Sequence, residues 1–161
     1  ASNVATVDIQ SLASGYDYLF HWDGLLPVTN KAQLFVRFEE GGSFQADAAD
    51  YGWGSTVQGT DATDDSDSEM QPSGSGNGII AGATAGANVA LMLMNPGGTT
   101  SYKAITWSGG FWAADGTPVI AGIVGMGWYL SNTNAVTGVR YLFNSGSISA
   151  GRLLVYRLQR S

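Results

Sequence analysis

Apolar and polar residues alternate along most of this chain, which is the pattern of β-strands with one buried face. In Tyr16–Asp23, aromatic side chains occupy every second position, a spacing that fits a pleated surface and not the stripe of a helix. The same alternation in Ala32–Glu39 and Val136–Phe143 predicts two more strands. Turn signals rich in Gly and Asn, such as Asn144-Ser145-Gly146, separate the predicted strands.

The remaining strand signals recur about every 10–15 residues, the spacing of β-sandwiches and jelly rolls. No segment has the sustained apolar stripe of an amphipathic helix, so we expect little or no helix. The sequence thus predicts one all-β domain over residues 1–161, an antiparallel β-sandwich of jelly-roll-like form. The final strand is rich in apolar residues, and we expect it inside a sheet and not at its margin. The further predicted strands are Val4–Ile9, Ser43–Gln45, Tyr51–Val57, Asn88–Met94, Ser101–Ser108, Phe111–Ala114, Val119–Val124, Gly125–Leu130 and Arg152–Leu158.

An acidic segment, rich in Gly and Ser toward its end, interrupts the alternation at about 58–78 and is predicted to be a loop. Carboxylates spaced two to four residues apart are hard oxygen ligands of the kind that Ca²⁺ prefers. They predict a possible calcium site, although the EF-hand spacing is absent. A hydrated acidic loop without an ion is the alternative. The candidate ligands are Asp61, Asp65, Asp67 and Glu69.

Composition narrows the possible functions. The chain has 161 residues, no cysteine, 12% charged residues and a net charge of −6. Without cysteine there is no disulfide, thiolate nucleophile or cysteine zinc site. The few lysines and arginines form no basic patch, so we expect no direct contact with nucleic acid. No apolar run approaches the ~18 residues of a membrane span, and no secretory signal is visible.

Candidate catalytic groups are few. His21 is the single histidine, and its neighbours Asp17 and Asp23 lie two positions away along a strand. Side chains at that spacing are about 7 Å apart, too far for the hydrogen bond of a catalytic triad. Glu39 and Glu40 are adjacent, so they face opposite sides of a strand and do not form the carboxylate pair of a glycosidase. We therefore expect a protein that is not an enzyme and has no cofactor other than possible Ca²⁺.

Two kinds of contact surface are predicted instead. Asn88–Met94 is apolar on both faces, so its second face is either buried or covered by another subunit. This interface would contain Ala90, Met92 and Met94, with Arg140 and Arg157 pairing with acids of a neighbouring subunit. A platform that binds glycans is the alternative, with Trp112 beside Asp115 as its exposed aromatic, although packing in the core also accounts for such residues.

Segments at both ends of the chain together resemble a known group of proteins. They are Tyr16–Pro27, Leu34–Phe38, Gly41–Phe44, Ala49–Trp53, Gly138–Phe143, Ser145–Gly151 and Leu154–Tyr156. These hairpin turns and aromatic strands resemble β-sandwich proteins of tailed bacteriophages, namely small tail-fibre, head-fibre and capsid-decoration components.

The resemblance implies a virion protein that works as a homo-oligomer, often a trimer. Its partners would be copies of itself and the major capsid protein or another virion protein. A compact chain without a fibrous repeat favours capsid decoration or head attachment over a fibre tip. The alternative function is recognition of a host receptor or glycan by a tail fibre or carbohydrate-binding module.

Overall fold

The computed structural model describes residues 3–76, 78–82, 86–113 and 119–160. Every regular element in these residues is a β-strand, and every pairing is antiparallel. No helix in this part of the chain is long and apolar enough to cross a membrane. The strands are β1 (Thr6–Gln10), β2 (Tyr16–Pro27), β3 (Leu34–Glu40), β4 (Ser43–Phe44), β5 (Tyr51–Val57), β6 (Thr60–Asp67), β7 (Ala87–Met94), β8 (Lys103–Ala113), β9 (Val119–Tyr129), β10 (Gly138–Phe143) and β11 (Ile148–Gln159).

The strands form two sheets. The small sheet has the order β1-β10-β3-β4, and the large sheet has the order β11-β2-β7-β8-β9-β5-β6. The two sheets pack face to face, so the prediction of an antiparallel β-sandwich with little or no helix is confirmed. Both ends of the chain cross between the sheets, because β1 leads into β2 and β10 leads into β11.

Aromatic rings from both sheets meet in the core. Tyr141 of the small sheet packs edge-on against Trp22 of the large sheet, with ring centroids 5.4 Å apart. Phe38 of the small sheet contacts Tyr51 and Tyr129 in the same way, at 6.1 and 6.4 Å. Side chains alternate between the two faces of a strand. The rows that point away from this core therefore form the outer faces of the sandwich.

The acidic segment contains a strand, so the loop predicted at about 58–78 is corrected over 60–67. Residues Thr60–Asp67 form β6, which pairs with β5 through the two-residue turn Gln58-Gly59. Both turn residues have positive φ, as tight hairpin turns require. The acidic sequence is compatible with a strand because β6 lies at the edge of the sheet, where its side chains stay hydrated.

The position predicted for the last strand is wrong. β11 is the other edge of the large sheet and pairs along its length with β2, apart from a single bridge between Ile148 and Val4 at its start. Arg152 and Arg157 on this strand, with Arg160 directly after it, keep that edge hydrated in spite of the apolar residues between them. Two pairs of predicted strands also merge, since Lys103–Ala113 and Val119–Tyr129 are each continuous. Ala114 lies outside the described residues.

Candidate functional site

The outer face of the large sheet carries three rows of side chains that cross the strands. The middle row runs from β11 to β6 through Tyr156, Leu19, Met92, Thr106, Met126, Gly54 and Thr63. One flanking row contains Leu154, His21, Ala90, Ser108, Val124, Thr56 and Asp61. The other contains Leu158 and Asp17, then Met94, Ala104, Trp128 and Gly52.

The three central strands of this face carry no charged side chain on their outer rows. Several large apolar side chains there are exposed, among them Val124 at 57%, Met94 at 41% and Trp128 at 37%. Ile120, at the end of β9, is 70% exposed. Scattered apolar residues are ordinary on a protein surface, but a continuous apolar patch indicates an interaction site. We call this surface, made by the outer rows of β7, β8 and β9 and their neighbours, the apolar face.

The small sheet has an outer face of the opposite kind. Arg140 forms a two-pronged hydrogen-bonded pair with Asp8, at 2.8 and 2.7 Å. Arg37 pairs with Glu69 at 2.7 Å, and Gln10 donates a hydrogen bond to Glu39 at 2.8 Å. Arg140 and Asp8 remain partly exposed, while Glu39 and Glu69 are buried against their partners, so every charge named here is paired. The contrast indicates that the two outer surfaces have different surroundings.

Two adjoining hollows lie on the apolar face. The first, of about 560 Å³, is lined mainly by apolar side chains, including Leu19 of β2, Met92 of β7 and Val124 of β9. The second, of about 720 Å³, lies over Gly52 and Gly54, which have no side chains to fill it. Trp128, Asp64 and Asp65 border this second hollow. The surface can therefore receive protruding apolar side chains.

The residues predicted to form an interface are only partly brought together. Ala90, Met92 and Met94 share the outer side of β7 and lie on the apolar face. Arg140 lies on the other sheet, stacked 4.0 Å over the Phe44 ring. Its hydrogen bond to Asp8 holds the pKa of that carboxyl below its usual value. Arg157 lies on β11, with its guanidinium 5.3 Å from the centre of the Tyr16 ring.

The predicted calcium ligands point to separate partners. Asp61 accepts a hydrogen bond from Thr56 at 2.6 Å, and Asp67 accepts one from the Trp53 indole at 3.0 Å. Glu69 is buried and pairs with Arg37, while Asp65 borders the hollow beside Trp128. No group of three or more His, Asp or Glu side chains in the described part of the chain is placed to hold a metal ion. Calcium binding stays a prediction, which calorimetric titration with Ca²⁺ would test.

The predicted glycan site lies at one end of β8. Trp112 is half-buried and lines a shallow hollow of about 230 Å³ with Ile120 and Asn88. Asp115, its predicted partner, lies outside the described residues. Trp128, with Asp64 and Asp65 beside it, is the combination of aromatic ring and carboxylates that the geometry does bring together.

A buried polar cluster lies away from the apolar face. The Lys103 amine is buried and donates hydrogen bonds to the carbonyls of Ser101 and Thr133, at 2.7 and 2.9 Å. Burial lowers the pKa of Lys103. The Tyr129 hydroxyl donates to Glu40 at 2.6 Å. These contacts hold the segment after β9 against the end of the sandwich. We therefore assign this cluster a structural role.

Sequence reasoning identified one strand of the apolar face and missed the next. Val124, Met126 and Trp128 on β9 show the same signal as β7, since apolar residues occupy every second position and the positions between are also apolar or glycine. Comparison with models of protein families, with curated proteins and with solved structures finds no match. These comparisons therefore assign no function to the chain.

Proposed function

We propose that the protein is a non-enzymatic structural component of a virion that works as a homo-oligomer, of the capsid-decoration or head-attached type. The apolar face is the observation that carries the assembly role, because its central strands present large exposed apolar side chains and no charge. The virion setting comes from the resemblance of both ends of the chain to phage β-sandwich proteins.

An apolar contact of moderate area is enough to hold two proteins together. Hiding about 400 Å² of apolar surface contributes roughly 10 kcal/mol at ~25 cal/mol per Å², before the cost of association is subtracted. The flat outer rows of a sheet also lose little conformational freedom on binding, because the strands beneath them are already fixed by pairing on both sides. A surface of this kind binds another protein more readily than a small polar substrate.

Two exposed valines allow a matched test. Val124 lies on the apolar face and is 57% exposed, whereas Val28 lies outside it and is 49% exposed. We expect Val124→Glu to remove the chain from purified phage particles, and Val28→Glu to leave its incorporation unchanged. Immunoblots of particle and soluble fractions measure this. Wild-type chain that stays entirely in the soluble fraction while particles form would contradict the proposal.

Glycan recognition is the second candidate function, and the hollow at Trp128 favours it. A flat indole ring beside two carboxylates offers both stacking and hydrogen bonds to a sugar ring. Binding on a glycan array that Trp128→Ala abolishes and Trp112→Ala does not would support this candidate at this position. An array on which the wild-type protein binds no glycan would eliminate it.

A further inference from the structure

The apolar face has a shape, and the edges of the large sheet have charges, that fit a second copy of the chain. We infer that two chains pack their large sheets face to face about a two-fold axis that runs along β8, the central strand. The inference rests on the homo-oligomer of the proposed function, and it specifies the partner, the surface and the symmetry. Four observations lead to it.

The two edges of the large sheet carry opposite charges. β6 contains four aspartates and no basic residue, whereas β11 contains no acid and two arginines, Arg152 and Arg157, with Arg160 directly after the strand. Arg157 is in register with a core-facing residue of β2 and lies on the other side of the strand, and two of the aspartates are likewise in register with core-facing residues of β5. Two of those arginines have partners on or beside β2, since Arg152 lies 2.8 Å from Asp23 and Arg160 lies 3.6 Å from Asp17. Both pairs are largely exposed, and exposed pairs contribute little. These arginines therefore remain able to face a further acid.

The order of the strands decides which edges meet. β8 is the fourth of seven strands, so a two-fold axis along it places β11 of one copy over β6 of the other. An axis across the strands places β6 over β6 and β11 over β11. That second arrangement brings acid against acid at the rim of the contact, where like charges disfavour it. Charge therefore selects the axis along β8.

Side-chain size selects the same axis. With the axis along β8, β2 lies over β5 and β7 lies over β9, so that Leu19 faces the hollow at Gly54 and Met92 faces Met126. With the axis across the strands, Gly54 would face Gly54 and leave a void. Facing sheets are stable when large and small side chains interdigitate without gaps. The rows of the large sheet therefore complement each other in one of the two orientations.

The area is also sufficient. Seven strands about 4.8 Å apart, with eight residues that rise ~3.4 Å each, span roughly 800 Å². Stable interfaces bury about 800 Å² on each partner. An isologous contact of this kind closes with two copies. It therefore gives a pair, in place of the trimer that the phage resemblance implies.

A single cysteine tests the axis, because the chain has none of its own. Ser108 lies on the outer row of β8 and is exposed, so the inferred axis places it opposite its own copy. Facing sheets are about 10 Å apart, which a short bis-maleimide spans. We expect Ser108→Cys to give a crosslinked dimer in high yield. Ser43→Cys, in the exposed hairpin between β3 and β4, is the matched control and should stay monomeric.

Charge at the same position gives a second test. Ser108→Glu and Ser108→Lys each place like charges opposite each other, and each should raise the dissociation constant of the dimer about 100-fold. Mixing the two variants should restore the dimer, as measured by sedimentation velocity. A wild-type chain that stays monomeric would overturn the inference, and so would a dimer that Ser108→Cys does not crosslink. A monomer that still enters particles would leave the virion role standing without the homo-oligomer, because its partner is then a different protein. A dimer that Ser108→Cys does not crosslink would leave the homo-oligomer standing, with a different surface as its interface.

Discussion

Two glycines of β9 are expected to respond in opposite ways to the same substitution. Gly125 faces the core, where a Cβ atom would lie 2.5 Å from Nε1 of Trp107 and would also meet the Gly54 carbonyl. The Trp107 side chain is buried and donates a hydrogen bond to Ser55, so it has no room to move away. Gly122 is exposed on the outer side of the same strand, and a Cβ atom there would have nothing within 4 Å.

The expected magnitudes follow from these surroundings. Gly125→Ala should lower the free energy of unfolding by about 1–3 kcal/mol through overpacking, and by about 1 kcal/mol more if the indole hydrogen bond breaks. Gly122→Ala should raise it by about 0.5–1 kcal/mol, because alanine loses less backbone freedom than glycine on folding. For a chain of this size each kcal/mol shifts Tm by roughly 2–4 °C.

Urea denaturation followed by tryptophan fluorescence measures both variants, with the slope of the transition as a check that the denatured state is unchanged. The measurement is made at high dilution, so that association does not add to the stability of the chain. Equal stability of the two variants would refute the reasoning, because it would mean that Gly125 is not packed against Trp107.

Three further predictions concern buried and paired side chains. Tyr141→Phe should leave the free energy of unfolding unchanged or raise it in urea denaturation, because the buried Tyr141 hydroxyl has no hydrogen-bond partner in the described part of the chain. Tyr129→Phe breaks the 2.6 Å hydrogen bond to Glu40 and should lower the free energy of unfolding by about 1–3 kcal/mol. An equal loss of stability in the two variants would contradict this expectation. Burial raises the pKa of Tyr141, so the folded state holds the hydroxyl proton more tightly than the unfolded state does. The free energy of unfolding should therefore fall as the pH rises above about 10. A Tm that stays level between about pH 8 and about pH 11 would contradict this. The hydrogen bond from Arg140 lowers the pKa of Asp8. The ion pair therefore contributes to the stability of the fold above about pH 4, and this contribution is lost as the pH falls through the lowered pKa. Asp8→Asn should therefore reduce the loss of stability in acid by no more than about 1 kcal/mol, and an acid transition that it leaves unchanged would count against the pair.

The strands that pack in the core could be predicted from the sequence, because burial of one face imposes a period of two. Tyr16–Asp23 and Val139–Phe143 show this directly, and both lie within observed strands. Thr60–Asp67 could not be predicted, since an edge strand made of polar residues has no such period. The position of β11 could not be predicted either, because its apolar residues show that it is a strand but not which strand is its neighbour.

The candidate site could be predicted only in part for a related reason. Ala90, Met92 and Met94 were identified because β7 is apolar on both faces, and such a strand needs a second cover. Which of the two faces points outward depends on the order of the strands, and that order is set by contacts between distant parts of the chain. The spacing of Asp61, Asp65 and Asp67 predicted that they bind one calcium ion together. In the β5–β6 hairpin these residues instead contact different partners.

The charges on the two edges of the large sheet also bear on how assembly stops. An exposed edge strand is a template for pairing with another chain, and charged side chains are a common protection against it. Aspartates on β6 repel a second β6, and arginines on β11 repel a second β11. Pairing of β6 with β11 edge to edge is the attractive combination, and repeated along successive chains it would build an open fibre. In the inferred face-to-face pair, each β6 already lies against the β11 of the other copy. The charges that would favour a fibre then face each other within a closed pair, and the apolar face is covered by the same contact.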